Sequence, residues 1–433
     1  MREEIGRPCS LVPPALLRVM DQFYGIGHQD EQELHSFCAE RKSSPKRKRL
    51  LRILYATFLK YPNVGGLASY ITSVKTGFER AGHQADVISP LQMPPSFFQE
   101  DIPRAADEVR VFLLGRYGAA NEKLVKNLSY LRVFQRFLME KDLEQYDLFH
   151  AQDLFAVFLL GHLNRTYRRP LFFTPHGHFT KSRMKFHKIQ KGSIEEAYFS
   201  EIERQGIRAS DKIITISDSF HAPLLEYGAK ETQLTTVYTG IDIRDAPEPK
   251  RAEKLVIACV SRLTERKGHD VLLDALAQIR QHLSGVEIWI IGDGKMRGFL
   301  EEKRRKLGLS NVFFFGKRRD VPALLAESSI FVLPTLNDNF PIAIIEAMFA
   351  GQAIVATDCG GIPEMIRHEK TGLICQPGSI RELADALLRL ITDQALREQF
   401  GKAAKTYAGQ HLRQENMVSQ IDSIYQSFFK MSD

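Results

Sequence analysis

The sequence predicts an α/β protein built from two doubly wound domains with parallel sheets, facing a central cleft. Three observations point there. Segments of strand length alternate with segments of helical period from Leu50 onward. That series runs twice, on either side of the polar, proline-bearing stretch Ile243-Arg-Asp-Ala-Pro-Glu-Pro-Lys250, which has the character of a domain boundary. The length of 433 residues agrees, because domains of roughly 150 residues put two or three in such a chain. Strand–helix alternation in both halves implies sheets covered on both faces.

Residues 1–50 read as an N-terminal extension of weak hydrophobic pattern. It ends in the basic run Pro45-Lys-Arg-Lys-Arg49, which reads as a solvated linker before the first strand, with a nuclear or nucleic-acid tag as the alternative. The first domain covers 51–242. Leu51-Arg-Ile-Leu-Tyr-Ala56 is a buried strand, and the loop Pro62-Asn-Val-Gly65-Gly66 follows it. A helix runs from Leu67 to about Ala81, and the next strand covers 85–89, completing a β-α-β unit. Further short strands are expected at 148–150, 171–174 and 212–216. The second domain covers 254–410. Its strands are expected at 255–260, 287–291, 311–315, 330–333, 353–356 and 372–375, with helices between them. In the first of those helices Leu272, Leu273, Leu276 and Ile279 share one face. Residues 411–433 read as a C-terminal helix packing back towards the N-terminal domain.

Composition narrows the class. With 44% hydrophobic, 10% aromatic and 26% charged residues, the chain is neither disordered, collagenous nor a coiled coil. Lys and Arg number 59 and Asp and Glu 52, a net charge of +7 that suits a small anion, a lipid headgroup or nucleic acid. The five cysteines are scattered and form no C-x-x-C pair, which suggests reduced thiols and a cytoplasmic location. Met1-Arg-Glu-Glu lacks an apolar core, so no signal peptide is expected. The longest apolar run, Leu154 to Leu160, is far shorter than the ~20 residues of a membrane span.

The loops after the strands carry the chemistry. Gly65-Gly66 follows the first strand and lets a ligand approach the backbone closely; a plain β-α turn would also use it. Gly292-Asp-Gly294-Lys-Met-Arg-Gly298 resembles a dinucleotide fingerprint but has Arg297 where the third glycine belongs, which disfavours a nicotinamide cofactor. Ser261-Arg262-Leu-Thr-Glu-Arg-Lys267-Gly268 presents Arg and Lys at a strand end, which suits a diphosphate. Pro334-Thr-Leu-Asn-Asp338-Asn339-Phe340-Pro341-Ile342-Ala-Ile-Ile-Glu346 places an acidic residue in a loop and Pro341 in the first turn of a helix. Free N–H groups near Phe340 to Ala343 form an anion site. Glu346, among apolar neighbours, is suited to accept hydrogen bonds from a ribose diol, and Asp338 to hold sugar hydroxyls. No D-x-D pair or metal-spaced His/Cys cluster is present, so no metal is expected.

Arg262…Lys267-Gly268, Asp338-x7-Glu346 and Gly360-Gly-Ile-Pro-Glu364 together resemble the signature of the family-4 retaining glycosyltransferases, over about residues 51–425. The resemblance implies a GT-B fold of two Rossmann-like domains and a nucleotide-sugar co-substrate, UDP- or GDP-linked, with no other cofactor. It implies that Arg262 and Lys267 bind the donor diphosphate and Glu346 the ribose. The loop from Asp338 through Asn339, Phe340 and Pro341 to Ile342 would hold the donor sugar and phosphate. Gly66, beside Gly65, would let the first loop close on the phosphate. His176, in Thr174-Pro-His176-Gly177, matches the histidine beside the reacting sugar. The family usually has Glu followed by Gly-Phe-Gly where this chain has Asp338-Asn-Phe-Pro341.

The implied reaction is front-face transfer without an enzyme nucleophile, with His176, Arg262, Lys267 and Asp338 as its catalytic residues. The alternatives are a GT-B nucleotide-sugar epimerase and a non-catalytic subunit of a polysaccharide assembly complex. The acceptor, a glycan, a lipid-linked molecule or a cell-envelope precursor, is expected on the first domain. There, Leu154 to Ile194 holds eight basic residues and no acidic one. His150, Lys181, Arg183 and Lys185 are the acceptor-side candidates. An anionic acceptor or an anionic membrane surface is expected to dock on this stretch, with the protein peripheral at the inner face of the membrane. Nucleic acid is not expected, for want of an accompanying motif.

Overall fold

A computed structural model describes residues 11–26, 49–63, 65–243 and 254–429. The chain forms two compact units. The first takes in the chain up to Thr215, His221–Thr235 and the segment from Asp422; the second takes in Ile216–Phe220 and Thr236–Ile421.

The first unit is a six-stranded sheet of β1 (Arg52–Ala56), β2 (Gln84–Ile88), β3 (Leu148–Ala151), β4 (Leu171–Phe173), β5 (Lys212–Thr215) and β6 (Leu234–Thr236), in the order β2-β1-β3-β4-β5-β6. Strand β1 pairs in parallel with β2 and β3, Ile53 facing Ala85 on one side and Leu148 on the other. The strands β3 and β4 are wholly buried. Helices cover the sheet, which is why their side chains read as continuous apolar runs.

The second sheet has β7 (Leu255–Val260), β8 (Val286–Ile291), β9 (Val312–Gly316), β10 (Ile330–Leu333), β11 (Ala353–Thr357) and β12 (Leu373–Cys375), in the order β12-β11-β10-β7-β8-β9. Its core joins Ile257, Ile288, Val332 and Val355 to Leu272, Leu276 and Leu387 from the covering helices. The strand order reverses at β1 in the first sheet and at β7 in the second. In such sheets ligands bind outside the C-terminal strand ends at the reversal.

Several elements were not legible. Within the stretch read as an extension, Pro14–Phe23 is a helix whose Leu16 and Met20 are fully buried. It packs against the helix Ile194–Ala209. The buried Asp21 accepts hydrogen bonds from Arg116 at 2.6 and 2.7 Å and from Tyr117 at 2.7 Å. The helices Ile102–Tyr117, Glu122–Met139 and Leu154–Tyr167 also went unread. The last is apolar on nearly every side because it is buried, so it shows no helical stripe. Asp153 starts it, accepting from the N–H groups of Phe155 and Ala156 at 3.1 and 3.0 Å.

The final helix spans Gln414–Ser427; residues from Asp422 on cluster with the first unit, eleven positions beyond the expected change at 411. Most of the basic run 45–49 and residues 244–250 of the expected linker lie outside the described residues, as do Cys9 and Cys38. Cys259, Cys359 and Cys375 form no disulfide. No described helix is long and apolar enough to cross a membrane.

Candidate active site

In the second unit the loops after β7, β8, β10 and β11 meet, backbone to backbone. Gly268 has φ +66°, and a Cβ there would stand 2.0 Å from the Pro334 carbonyl oxygen. Gly292, at φ +143°, would likewise drive a Cβ to 1.9 Å from the Ser261 oxygen. Loop packing therefore explains the Gly292 glycine without any dinucleotide. The Leu336 N–H donates to the Arg266 carbonyl at 2.7 Å, and the Gly361 N–H to the Asn339 carbonyl at 2.7 Å. These bonds fix the loop Pro334–Pro341 between its neighbours.

The packing gathers the expected donor residues. Lys267 is buried and its ammonium is ion-paired with Asp338. Arg266 donates to the Asn337 carbonyl at 3.1 Å. The Arg262 side chain is exposed and makes no hydrogen bond with the described residues. Partial burial and the neighbouring Arg266 hold its guanidinium below its usual pKa, with Asp338 opposing them. Arg262, Arg266 and Lys267 thus stand near the carboxylate of Asp338, a concentration of positive charge that suits a diphosphate.

Phe340 is buried and stacks on Tyr238 with ring centroids 5.3 Å apart. Pro341 is the residue before the helix Ile342–Phe349, with φ −71° and ψ 118°, one position earlier than the first-turn placement expected. The N–H groups of Ile342 and Ala343 stand at the helix start, where a helix presents unsatisfied donors. Glu346 keeps a partly exposed carboxyl among Ile344, Ile345, Ala347 and Met348, all fully buried. It has no hydrogen-bond partner among the described residues, and burial pushes its pKa up to about 7. Glu364 accepts from the N–H groups of Asp218 at 2.8 Å and Ser219 at 3.0 Å.

In the first unit His176 follows β4. Its Nε2 lies 3.2 Å from Gln152 Oε1, and its ring meets Tyr70 edge-on at 4.6 Å. Burial lowers its pKa to about 3, so the imidazole is neutral at physiological pH. Gly65 caps the helix Gly66–Arg80 with φ +150°. A Cβ on Gly65 or Gly66 would meet nothing within 4 Å, so no packing contact calls for glycine there.

His150 does not line an acceptor surface, contrary to expectation. It is fully buried, with Nδ1 2.5 Å from the Tyr425 hydroxyl and Nε2 2.8 Å from Thr174 Oγ1. A ring with both nitrogens engaged inside the core has none left for a ligand. Lys181, Arg183 and Lys185 share the helix Phe179–Lys185. Lys181 pairs with Glu226, and Arg183 lies over the Phe179 ring at 4.1 Å. Glu203 accepts from the N–H groups of Phe179 and Thr180 at 3.2 and 3.3 Å, and burial raises its pKa. Gln152, Tyr70 and Tyr238 were missed by sequence reasoning, because their partners lie far along the chain. Arg266 was visible next to Lys267.

Comparison with known proteins shows the family and the fold. The family described as Glycosyltransferase Family 4 matches residues 64–245, and that described as Glycosyl transferases group 1 matches residues 241–407. The N-acetyl-alpha-D-glucosaminyl L-malate synthase of Bacillus anthracis is 30% identical over 234 residues, covering 51% of this chain and 61% of that relative. The D-inositol 3-phosphate glycosyltransferase of Corynebacterium urealyticum is 26% identical over 403 residues, covering 86% of this chain and 92% of its own. Among solved structures, HepE of Anabaena in complex with UDP-glucose superposes with a TM-score of 0.66 at 21% identity, over 87% of this chain and 100% of that one.

Proposed function

We propose that this chain, which belongs to the family-4 glycosyltransferases of the GT-B fold, moves a sugar with retention from a nucleoside diphosphate donor to an anionic acceptor. The observation that carries the reading is the cluster of Arg262, Arg266 and Lys267 around Asp338, with the Glu346 carboxyl, unpartnered among the described residues, on the adjoining helix.

The residues divide the work. Glu346 accepts hydrogen bonds from the ribose hydroxyls, an exchange favoured because its carboxyl has no partner among the described residues. The N–H groups of Ile342 and Ala343 face a phosphate at the helix start. Arg262 and Lys267 hold the negative charge that grows on the diphosphate as the glycosidic bond breaks, which lowers the barrier because they are in place beforehand. Asp338, released in part from Lys267, accepts from a donor-sugar hydroxyl. The leaving phosphate takes the acceptor proton, so no enzyme nucleophile is needed. Neutral His176 hydrogen-bonds a hydroxyl of the reacting sugar.

The anionic acceptor is supported by the basic helix Phe179–Lys185 and the basic residues around it. The two relatives' names point the same way, since L-malate and D-inositol 3-phosphate are both anions. A peripheral position at an anionic membrane would use the same charge. UDP is favoured as the donor nucleotide by the UDP-glucose in the HepE complex.

A thermal-shift screen against UDP-, GDP- and ADP-sugars tests the donor, because a ligand of the native state raises the melting temperature. A rise with a UDP- or GDP-sugar, followed by sugar transfer to L-malate, inositol phosphate or an anionic lipid, is expected. No shift with any of them would overturn the proposal.

A further inference from the structure

We propose that Tyr425, near the end of the chain, is a positioning residue for His176, acting through His150 and Thr174. This rests on the reading of His176 as the residue beside the reacting sugar.

The chain of contacts is continuous and lies inside the first unit. The Tyr425 hydroxyl is 2.5 Å from His150 Nδ1, and His150 Nε2 is 2.8 Å from Thr174 Oγ1. Tyr425, His150 and Thr174 are all fully buried. Thr174 also donates its N–H to the Ala151 carbonyl at 2.9 Å. Only Pro175 separates Thr174 from His176, and its ring fixes φ, so the direction in which Thr174 is held is passed to the next residue.

Strand β3 serves both histidines. His150 lies in the strand, and Gln152 follows its last residue, Ala151. His150 holds Thr174, and Gln152 Oε1 holds His176 Nε2 at 3.2 Å. His176 is thereby set from its backbone by one and from its ring by the other. Without Tyr425, His150 would keep one bonded nitrogen and could turn about it.

The hydroxyl of Tyr425 serves these bonds more than packing. Its ring packs on Phe172 and Phe78, with centroids 4.6 and 5.3 Å apart, contacts that phenylalanine would make as well. Burying a hydroxyl is costly unless it is bonded. The bonds available to this one are His150 and, at 3.4 Å, the Tyr55 hydroxyl.

The test uses the full chain labelled with 15N-histidine and the variants Tyr425→Phe, Thr174→Val and His176→Asn. His176→Asn identifies the His176 ring signals by their loss. Both Tyr425→Phe and Thr174→Val are expected to shift or broaden those signals. With whichever donor sugar raises the melting temperature, Tyr425→Phe is expected to lower kcat about tenfold with donor KM unchanged, as small misplacements of reacting groups do. In the His176→Asn background the same change is expected to cost less than about twofold, because coupled residues are not additive. Unmoved His176 signals in both variants, or penalties that add in full, would overturn the positioning role. Undiminished turnover in His176→Asn alone would instead overturn the reading on which it rests. Should Tyr425→Phe fold poorly, Thr174→Val tests the same path from its other end.

Discussion

The ammonium of Lys267 is ion-paired with the carboxylate of Asp338, on side chains only 10% and 15% exposed. Each removes the other's cost of burial, and each is expected in the donor site. Lys267→Ala leaves Asp338 without its counter-ion and the diphosphate without its buried cation. We predict that it abolishes transfer while circular dichroism shows a folded protein with a lowered melting temperature. The stability loss should be about 3 kcal/mol, the lower range for breaking a buried pair, because both side chains keep some exposure. Wild-type turnover would refute the phosphate role.

Glu346 gives a pH-dependent prediction. Its pKa is about 7 when folded, raised from 4.5 by burial. The folded state therefore binds more protons between these values, and the contribution of Glu346 to stability, full below 4.5, is lost as pH rises through 7. Glu346→Gln should remove that component, seen as a flatter difference in urea stability between pH 5 and 8. Ribose hydroxyls bind the ionised carboxylate best. Donor affinity should thus rise from pH 6 to 8 in the wild type and lose that dependence in Glu346→Gln, measured by calorimetry.

His176 and His150 have folded pKa values of about 3, lowered from 6.5 by burial. A lowered histidine opposes folding in acid. Stability is expected to fall progressively as pH drops below 6.5, because the unfolded chain binds the protons that the folded one refuses. In the same range the rate of transfer should show no limb attributable to His176. A kcat profile that loses a group near pH 6.5 in His176→Asn would contradict a neutral His176.

Asp21 tests the docking of the helix Pro14–Phe23. It is fully buried and accepts hydrogen bonds from Arg116 and Tyr117. Asp21→Ala leaves those donors facing an apolar gap and should cost about 3–5 kcal/mol in urea unfolding. A loss below about 1 kcal/mol would show that the contact is incidental.

The basic helix Phe179–Lys185 tests the acceptor. Replacing Lys181, Arg183 and Lys185 with alanine should raise the KM for an anionic acceptor severalfold and leave the donor KM unchanged. Binding of the wild type to anionic vesicles should weaken with salt, since the screening length is about 8 Å at physiological ionic strength. Equal acceptor KM in the variant would remove these side chains from the acceptor site.

The donor-site candidates were named from local spacing, since Arg262 and Lys267, or Asp338 and Glu346, are separated by a few residues. Packing of distant loops sets the two segments against each other, with Lys267 meeting Asp338 71 positions along the chain. Strand β10 was read at its observed bounds, Ile330–Leu333, because a short apolar run between turn residues has few other uses.

The fate of each histidine was decided only by the tertiary structure. His150 and His176 both stand at or near strand ends, and although Pro175 and Gly177 mark His176 out, nothing nearby in sequence shows that His150 belongs to the core. Tyr425, 275 positions from His150, brings the hydroxyl that makes His150 a core residue. Leu16 and Met20 lie one turn apart on the apolar face of a short amphipathic helix that packs against the helix Ile194–Ala209, a pattern that went unread inside the stretch taken as an extension. By itself the sequence determined every strand but β6 and the two-sheet α/β order, since hydrophobic period sets these within one segment. Partners brought from far along the chain decided which polar groups are buried and which remain free, because hydrogen bonding and desolvation depend on neighbours that no local pattern encodes.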